Sequence, residues 1–277
     1  MPLNCVDMSR WGGELTRAEA HELASSGIQL AIVGTGNPAG AGLWAKQQAD
    51  MAHAEGLLVD AYIYLYFKGD PAEQVRQALA TLAGATVRMW WLDAEDMESP
   101  DLTTEERGAF LDACVAELEK ASVPFGVYTG RWWWEPNMAS STKYSHLPLW
   151  NSWYDGDPDE DGLPYGGWTH SAIEQYEGTT TLCGQSVDLN YAKNLEDEML
   201  TQDQFNKMFE TAMGTYLPTY LKDVFEDVPG RFSDRPDLPI SFPYKPWGEP
   251  PVVAMVDDAA VKAALKAVLQ NALTALG

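Results

Sequence analysis

Short apolar runs alternate with longer stretches of helical periodicity from Asn4 to about Tyr191. Strands that alternate with helices in this way are typical of βα units and of a mainly parallel sheet. Eight strands make a barrel-like count, with helices between the first five strands and loops between the last three. The pattern predicts strands at residues 4–8, 30–35, 57–67, 88–93, 125–129, 147–153, 173–177 and 186–190, and helices at residues 17–26, 43–55, from Pro71 onwards and 103–120.

The character of the chain changes after about Asn194. A helix is predicted at residues 201–217, and residues 218–251, which hold eight of the seventeen prolines, are predicted to be an extended connector. Residues 259–276 place apolar side chains on one stripe of a helix, which predicts docking on the same chain or pairing with another copy. The sequence therefore predicts two domains, a barrel at residues 1–194 and a C-terminal extension at residues 195–277.

Composition narrows the class of protein. Hydrophobic residues make up 45% of the 277 residues, which is enough for a full core. The net charge of −23 argues against a nucleic-acid partner, because phosphate binding needs clustered Lys and Arg. No apolar run reaches the roughly 18 residues of a membrane span. The first residues lack the basic and apolar regions of a secretory signal, so we expect a product made in the cytoplasm.

Cysteine and histidine positions predict neither a metal site nor a cofactor. Three cysteines at positions 5, 114 and 183 are too scattered for a zinc site or a disulfide framework. If Cys5 and Cys183 lie near the first and last strands, a bond between them is one alternative, but two reduced thiols are favoured. The four histidines, at positions 21, 53, 146 and 170, do not have the spacing of metal ligands, and no glycine-rich phosphate loop joins a strand to a helix.

The candidate chemistry begins with Asp93 and Glu95, at the end of the fourth predicted strand. Residues two apart on a strand point to one face, and the carboxyl ends of barrel strands line the active site. Two carboxyl groups held close together have pKa values that move apart, which suits acid catalysis of glycoside hydrolysis. By itself such a pair is more typical of a solvated turn.

Two further acids and a set of aromatic residues strengthen this hypothesis. Asp7 ends the first strand and Asp188 lies in the last, and these strands are neighbours in a closed eight-stranded barrel. Buried unpaired carboxylates are costly, so three strand-end acidic sites favour function. Sugar rings stack on aromatic side chains, although about half of such residues serve core packing. Aromatic residues on or beside the strands are Tyr62, Tyr64, Tyr66, Tyr128, Trp150, Trp153 and Tyr176.

Seven short motifs follow one another within residues 4–192. They are Val6-Asp7-Met8-Ser9-Arg10-Trp11, Ala61-Tyr62, Trp91-Leu92-Asp93-Ala94-Glu95, Gly126-Val127-Tyr128-Thr129-Gly130, Pro148-Leu149-Trp150, Gln175-Tyr176 and Val187-Asp188-Leu189-Asn190. In this order and spacing they resemble glycoside hydrolase family 25, the N-acetylmuramidases of bacteria, fungi and phages. The resemblance implies an α/β fold, a TIM-like (β/α)5(β)3 barrel.

The resemblance also implies roles. Glu95 would protonate the leaving oxygen of the β-1,4 bond between N-acetylmuramic acid and N-acetylglucosamine in peptidoglycan, and Asp93 would orient the 2-acetamido group in a substrate-assisted route. Asp7 and Asp188 would hold the acid pair and the sugar. The side chains expected to bind substrate are Tyr62, Tyr64, Tyr128, Trp150, Gln175 and Tyr176.

Several positions depart from the family pattern. Gly34-Thr35-Gly36-Asn37 stands where members commonly have an acid, Ile63 where a His is frequent, and Glu174 where a Trp is frequent. These departures concern sugar subsites more than the acid pair. Of Trp132, Trp133 and Trp134, at least one is expected at the rim of the cleft and the others beneath it.

Three functions are weighed. The first is a peptidoglycan hydrolase, most simply a phage endolysin that is made in the host cytoplasm and reaches the cell wall after release. The second is a virion or tail protein that binds glycan with a muramidase-like barrel and docks or self-associates through residues 195–277. The third, a chitinase-type hydrolase, is disfavoured because the fuller Asp-x-x-Asp-x-Asp-x-Glu motif is absent before Glu95.

Overall fold

The computed structural model describes residues 3–35, 42–98, 101–159 and 162–192. Within these ranges eight strands close into a barrel in chain order, β1 to β8, which confirms the predicted TIM-like fold. The strands are β1 (Leu3–Met8), β2 (Ile28–Gly34), β3 (Leu58–Tyr64), β4 (Trp90–Asp93), β5 (Phe125–Thr129), β6 (Leu149–Ser152), β7 (Ile173–Leu182) and β8 (Gln185–Ala192). The predictions for residues 193–277 lie outside the described residues.

Helices follow each of the first five strands. Capping boxes at Thr16 and Thr103 begin the first and fourth helices, and Pro71 occupies the first turn of the third behind the capping side chain of Asp70. A 3-10 turn at Arg10–Gly12 precedes the first helix. The helices are α1 (Arg17–Ser25), α2 (Ala45–Ala54), α3 (Pro71–Thr81), α4 (Thr104–Ala121) and α5 (Arg131–Met138).

Strand direction corrects one sequence-based expectation. β1 to β7 pair in parallel, but β8 runs antiparallel to both β7 and β1. Asp188 therefore lies opposite Asp7 in the amino-terminal half of β8, and not at a carboxyl end. β7 and β8 are joined by a tight turn at Cys183-Gly184, and a short antiparallel connection of this kind needs no crossover helix.

Differences from the pattern include the end of the third strand and an additional helix. The third strand ends at Tyr64 because the side chain of Gln74 occupies both backbone groups of Tyr66, at 3.0 Å and 2.8 Å. The pattern did not predict α5, because three consecutive tryptophans and Pro136 conceal its periodicity. Trp133 and Trp134 of this helix are fully buried, whereas Trp132 is 47% exposed.

The core has two layers. The larger packs the helices on the outside of the barrel, and the smaller fills its interior with side chains such as Trp91 and Trp150. All three cysteines lie within the described residues and are free thiols. No helix within the described residues is long and apolar enough to cross a membrane.

Candidate active site

A cavity of about 390 Å³ opens at the carboxyl ends of the first six strands, next to Gln175 of β7 and Asp188 of β8. Five carboxyl side chains and a single basic one, Arg10, stand among the described residues around it, so its field is strongly negative. A negative cavity walled by aromatic rings suits a polar ligand with apolar faces. The lining residues are Asp7, Ser9, Arg10, Trp11, Gly34, Tyr62, Tyr64, Tyr66, Asp93, Glu95, Glu98, Tyr128, Trp150, Tyr154, Gln175 and Asp188.

Asp93 and Glu95 enter this cavity together because the backbone on either side of Asp93 is tied to neighbouring strands. The Leu65 amide donates to the Asp93 carbonyl at 3.0 Å, and the Ala94 amide donates to the Tyr128 carbonyl at 2.9 Å. Extended pairing therefore continues past the end of β4. It keeps the two-residue period that sends both carboxyl groups to one face.

The two carboxyl groups have different surroundings. Asp93 is 4% exposed, and its Oδ1 has no hydrogen-bond partner. Burial first, and then the charges of Glu95 and Asp7, raise its pKa well above the usual range. Burial and the charge of Asp188 raise the pKa of Glu95 to about 7, against the opposing effect of a hydrogen bond with Tyr128. Glu95 can therefore hold a proton near neutral pH and release it, as a general acid must.

Asp7 and Asp188 form the opposite wall, paired across β1 and β8. Burial and the charge of Asp188 raise the pKa of Asp7 to about 8, while hydrogen bonds from Asn190 and Gln175 lower it. Burial also raises the pKa of Asp188, and a backbone hydrogen bond from Thr179 acts in the opposite direction. The four carboxyl groups thus share fewer than four negative charges near neutral pH.

Gln175 connects the two walls. Its Nε2 donates to Asp7 Oδ2 at 2.6 Å and to Asp188 Oδ2 at 3.2 Å. Its Oε1 accepts from the hydroxyl group of Tyr154 at 2.5 Å, and the Tyr128 hydroxyl, 2.7 Å away, shares its single proton between this oxygen and Glu95. Both ends of the amide are therefore engaged by protein, so the structure gives Gln175 an internal linking role beside the substrate-binding role expected from sequence.

Most of the aromatic residues that were expected to bind substrate line the cavity, but one of them does not. Tyr62, Tyr64, Tyr128 and Trp150 line the cavity, as expected from sequence. Tyr176 does not, because it follows Gln175 on β7 and adjacent strand residues point to opposite faces. Gly34 permits the approach of Tyr62, since a Cβ there would lie 2.5 Å from the tyrosine hydroxyl oxygen.

Sequence reasoning missed several residues of the site, among them Tyr154 and Asn190. Tyr154 lies in a Gly- and Asp-rich loop with no periodicity that would predict its orientation. Asn190 follows Asp188 by two residues on β8, so the alternation that selected Glu95 after Asp93 could have selected it. Trp153, which the sequence placed near the cleft, is outside the cavity lining, and its indole donates to Asp155.

Arg10 stands at the rim and is the one cation among the described residues that line the cavity. The guanidinium of Arg10 lies 4.4 Å from the ring centroid of Trp11, which is 80% exposed. At least one of Trp132, Trp133 and Trp134 was expected at the rim, but none of them lines the cavity. The indole of Trp132 donates to Ser152 at 3.3 Å. Within the described ranges no group of three or more His, Cys, Asp or Glu residues has the arrangement of a metal site.

Comparison with known proteins identifies a family and a relative. Residues 6–185 match the family model described as glycosyl hydrolases family 25. A probable GH family 25 lysozyme 3 of Dictyostelium discoideum is 33% identical over 147 residues, which are 50% of this chain and 31% of that protein. The matched segment thus spans less than a third of that relative's length.

Solved structures share the architecture. A muramidase from Acremonium alcalophilum covers 71% of this chain and 96% of its own, with a TM-score of 0.61 and 17% identity. The catalytic domain of an endolysin from a Listeria monocytogenes bacteriophage covers 75% and 97%, with a TM-score of 0.55 and 19% identity. At these identities the likeness concerns the fold. Because the family model spans well over half of the chain, from β1 to the start of β8, the chain belongs to glycosyl hydrolases family 25.

Proposed function

We propose that this chain is an N-acetylmuramidase, a glycosidase that cleaves the β-1,4 bond between N-acetylmuramic acid and N-acetylglucosamine in peptidoglycan. The observation that carries the proposal is the pairing of Glu95, whose pKa is raised to about 7, with the buried Asp93 in an aromatic-walled cavity. Membership of the family and the lysozyme relative support the same reaction.

In the proposed reaction, Glu95 donates its proton to the glycosidic oxygen as the bond to the anomeric carbon breaks. The carbonyl oxygen of the substrate's own acetamido group attacks that carbon and forms a cyclic oxazolinium intermediate. Asp93 orients the acetamido group during this step. Water then opens the ring while Glu95 takes back a proton, and the configuration at the anomeric carbon is retained. Glycosidases of this substrate-assisted type do not follow the usual rule on carboxylate separation.

The charged groups at the rim of the cavity favour peptidoglycan over a neutral glycan as the substrate. Five carboxyl side chains around the cavity disfavour anionic ligands, yet Arg10 stands among them against the exposed ring of Trp11. Peptidoglycan carries carboxylates on its stem peptides, whereas chitin carries none. A guanidinium binds a carboxylate through paired hydrogen bonds, so this corner of the cavity suits a glycan with acidic substituents.

The finer proposal is a phage endolysin that acts on the cell wall after its release from the host cytoplasm. The likeness in fold to the catalytic domain of a bacteriophage endolysin supports it. Lysis of intact Gram-positive cells by the added protein, compared with purified sacculi, tests this proposal separately from the chemistry.

The test of the chemistry is the release of new reducing ends from purified Gram-positive peptidoglycan. Glu95→Gln keeps the shape of the side chain but removes the proton, so we expect a loss of rate of about 10²- to 10⁴-fold. Glu105→Gln, on the exposed first turn of α4, is the matched control and should keep full activity. Full activity in Glu95→Gln would overturn the proposed mechanism.

A further inference from the structure

Asn190 lies behind the carboxyl cluster, outside the cavity lining, with 1% of its surface exposed. Its Nδ2 donates to Asp7 Oδ2 at 2.8 Å, and its Oδ1 accepts from the indole Nε1 of Trp150 at 2.8 Å. A buried amide on a barrel strand that contacts a catalytic-site carboxyl group is placed to control that group without contacting substrate.

The orientation of this amide follows from its partners. An indole N–H can only donate, so the oxygen of Asn190 must face Trp150 and the NH₂ group must face Asp7. A reversed amide would place two donors against each other and would offer Asp7 an oxygen. Trp150 therefore determines which end of Asn190 reaches the carboxyl group.

Gln175 reaches the same oxygen atom from the other side. With its Oε1 next to two tyrosine hydroxyl groups, its Nε2 faces Asp7 and Asp188. Asp7 Oδ2 thus accepts two amide N–H groups, and Asp188 accepts Gln175 Nε2 and the backbone amide of Thr179. Donors that point at a carboxyl oxygen favour its ionised form.

Asp93 has the opposite environment. It is as deeply buried as Asp7, but its Oδ1 has no hydrogen-bond donor. A buried carboxyl oxygen without a donor favours the neutral form of its group. The described donors are therefore concentrated on the β1–β8 wall of the cavity, away from the Asp93 side.

We propose that Asn190 is a positioning residue, which, with its orientation set by Trp150, biases the shared protons of the cluster away from Asp7 and towards Asp93 and Glu95. Without the Asn190 donor, Asp7 would keep a proton to still higher pH, at the expense of protons on Asp93 and Glu95. The kinetic consequence rests on the proposed function, but the distribution of protons does not.

The groups that face Asp7 determine the sign of the effect. They are Asp188 from β8, Asp93 and Glu95 at the end of β4, and the phenols of Tyr62 from β3 and Tyr154 after β6. Each of these disfavours charge on Asp7 when it is itself ionised. The N–H groups of Asn190 and Gln175 oppose them, so removal of the Asn190 donor must raise the pKa of Asp7.

The first experiment measures kcat/KM against pH on soluble peptidoglycan chains. Asn190→Ala removes the donor, and we expect the acidic limb to move to higher pH by about one unit, with little change in KM. Asn190→Asp is nearly isosteric, keeps an acceptor for Trp150 and adds a carboxyl group next to Asp7, so its shift should be larger. A second variant that preserves the Trp150 contact keeps the test valid if the alanine variant folds poorly.

The matched controls are Asn151→Ala and Asn151→Asp. Asn151 is also a fully buried strand asparagine, but its Oδ1 accepts from Tyr165 at 3.0 Å, outside the cavity lining. These variants should lose stability without moving the pH profile. If the Asn190 profiles superimpose on the wild-type profile after scaling, or if both asparagines shift it equally, the proposal is overturned.

The second experiment does not depend on activity. The side-chain carboxyl signals of ¹³C-labelled aspartates are titrated in wild type and Asn190→Ala, and the Asp7 signal is assigned by its absence in Asp7→Asn. We expect the Asp7 titration to move to higher pH by about one unit. An unmoved Asp7 titration overturns the proposal. A chain that leaves peptidoglycan uncut but shows this shift would refute the proposed function alone.

Discussion

At the scale of single residues, Glu95 is subject to two opposing effects. Burial and Asp188 raise its pKa to about 7, and the hydrogen bond with Tyr128 lowers it. A general acid must be protonated, so activity should fall as pH rises through this value. Among the described residues the lowering contribution comes from this hydrogen bond, so the phenol of Tyr128 helps determine how far the active range extends towards alkaline pH.

Tyr128→Phe should therefore move the alkaline limb of the pH–rate profile to higher pH by about one unit, since one hydrogen bond to the charged form is lost. The profile of reducing-end release between pH 4 and pH 10 measures this shift. Tyr144→Phe, whose hydroxyl donates to Asp112 and to the Gly108 carbonyl away from the cavity, is the control. A shift to lower pH in Tyr128→Phe would contradict the assignment.

Trp11 is exposed at the rim and contributes to the cavity without supporting the core. Trp11→Ala should raise KM for peptidoglycan by about 3- to 10-fold, which corresponds to the loss of one aromatic stacking contact, and should leave the free energy of unfolding unchanged. Leu43→Ala, which is 72% exposed and outside the cavity lining, is the control. A wild-type KM in Trp11→Ala would show that the ring does not bind sugar.

At the scale of elements, close packing between β4 and β5 positions the acid pair. Gly126 of β5 lies against the ring of Trp91 and the Pro148 carbonyl, and a Cβ there would be 2.5 Å and 2.6 Å from them. Trp91 in turn packs edge-on to Trp150 at 5.9 Å. The same ring donates to Asp60, which also pairs with Arg88. The floor of the cavity thus depends on a glycine that leaves room for the ring of Trp91.

Gly126→Ala should destabilise the protein by about 1–3 kcal/mol, because backbone or ring must move to admit the methyl group. Gly108→Ala is the matched substitution: it lies inside α4, nothing stands within 4 Å of the added Cβ, and helix propensity predicts a gain of about 0.5–1 kcal/mol. Urea unfolding of both variants measures whether each substitution lowers or raises the free energy of unfolding. An unchanged midpoint in Gly126→Ala would show that the barrel relaxes at this point.

At the scale of the whole molecule, the carboxyl cluster links stability to pH. The folded-state pKa of Glu95 lies above its unfolded value, so its contribution is fully present below about pH 4.5 and is lost as pH rises through about 7. The net charge of −23 adds general repulsion that also grows as the carboxyl groups ionise. The active site is therefore a local cost to the fold at neutral pH.

Glu95→Gln should have nearly the wild-type unfolding temperature at pH 4 and a progressively higher one towards pH 8. The corresponding difference in the free energy of unfolding should approach a few kcal/mol at most, about 1.4 kcal/mol for each unit by which the pKa of Glu95 is raised. Thermal unfolding at several pH values measures it, with Glu105→Gln as the control for a surface charge. A constant difference across the pH range would contradict the linkage.

The apolar pattern was sufficient to predict the eight strands, the first four helices and the position of Asp93 and Glu95 at the end of β4. These features depend on local periodicity, which a sequence carries directly. The order of short motifs, from Asp7 to Asp188, is also read directly from the sequence, and it predicted the family.

The direction of β8, the internal role of Gln175 and the contributions of Tyr154 and Asn190 depend on contacts between distant parts of the chain. Asp7 is 168 residues from Gln175 and 183 from Asn190, yet both amides donate to one of its oxygen atoms. No local period encodes such a meeting, because it exists only after the barrel closes. The sequence determined which acids the protein carries, and only the tertiary structure decided which of them receive hydrogen-bond donors.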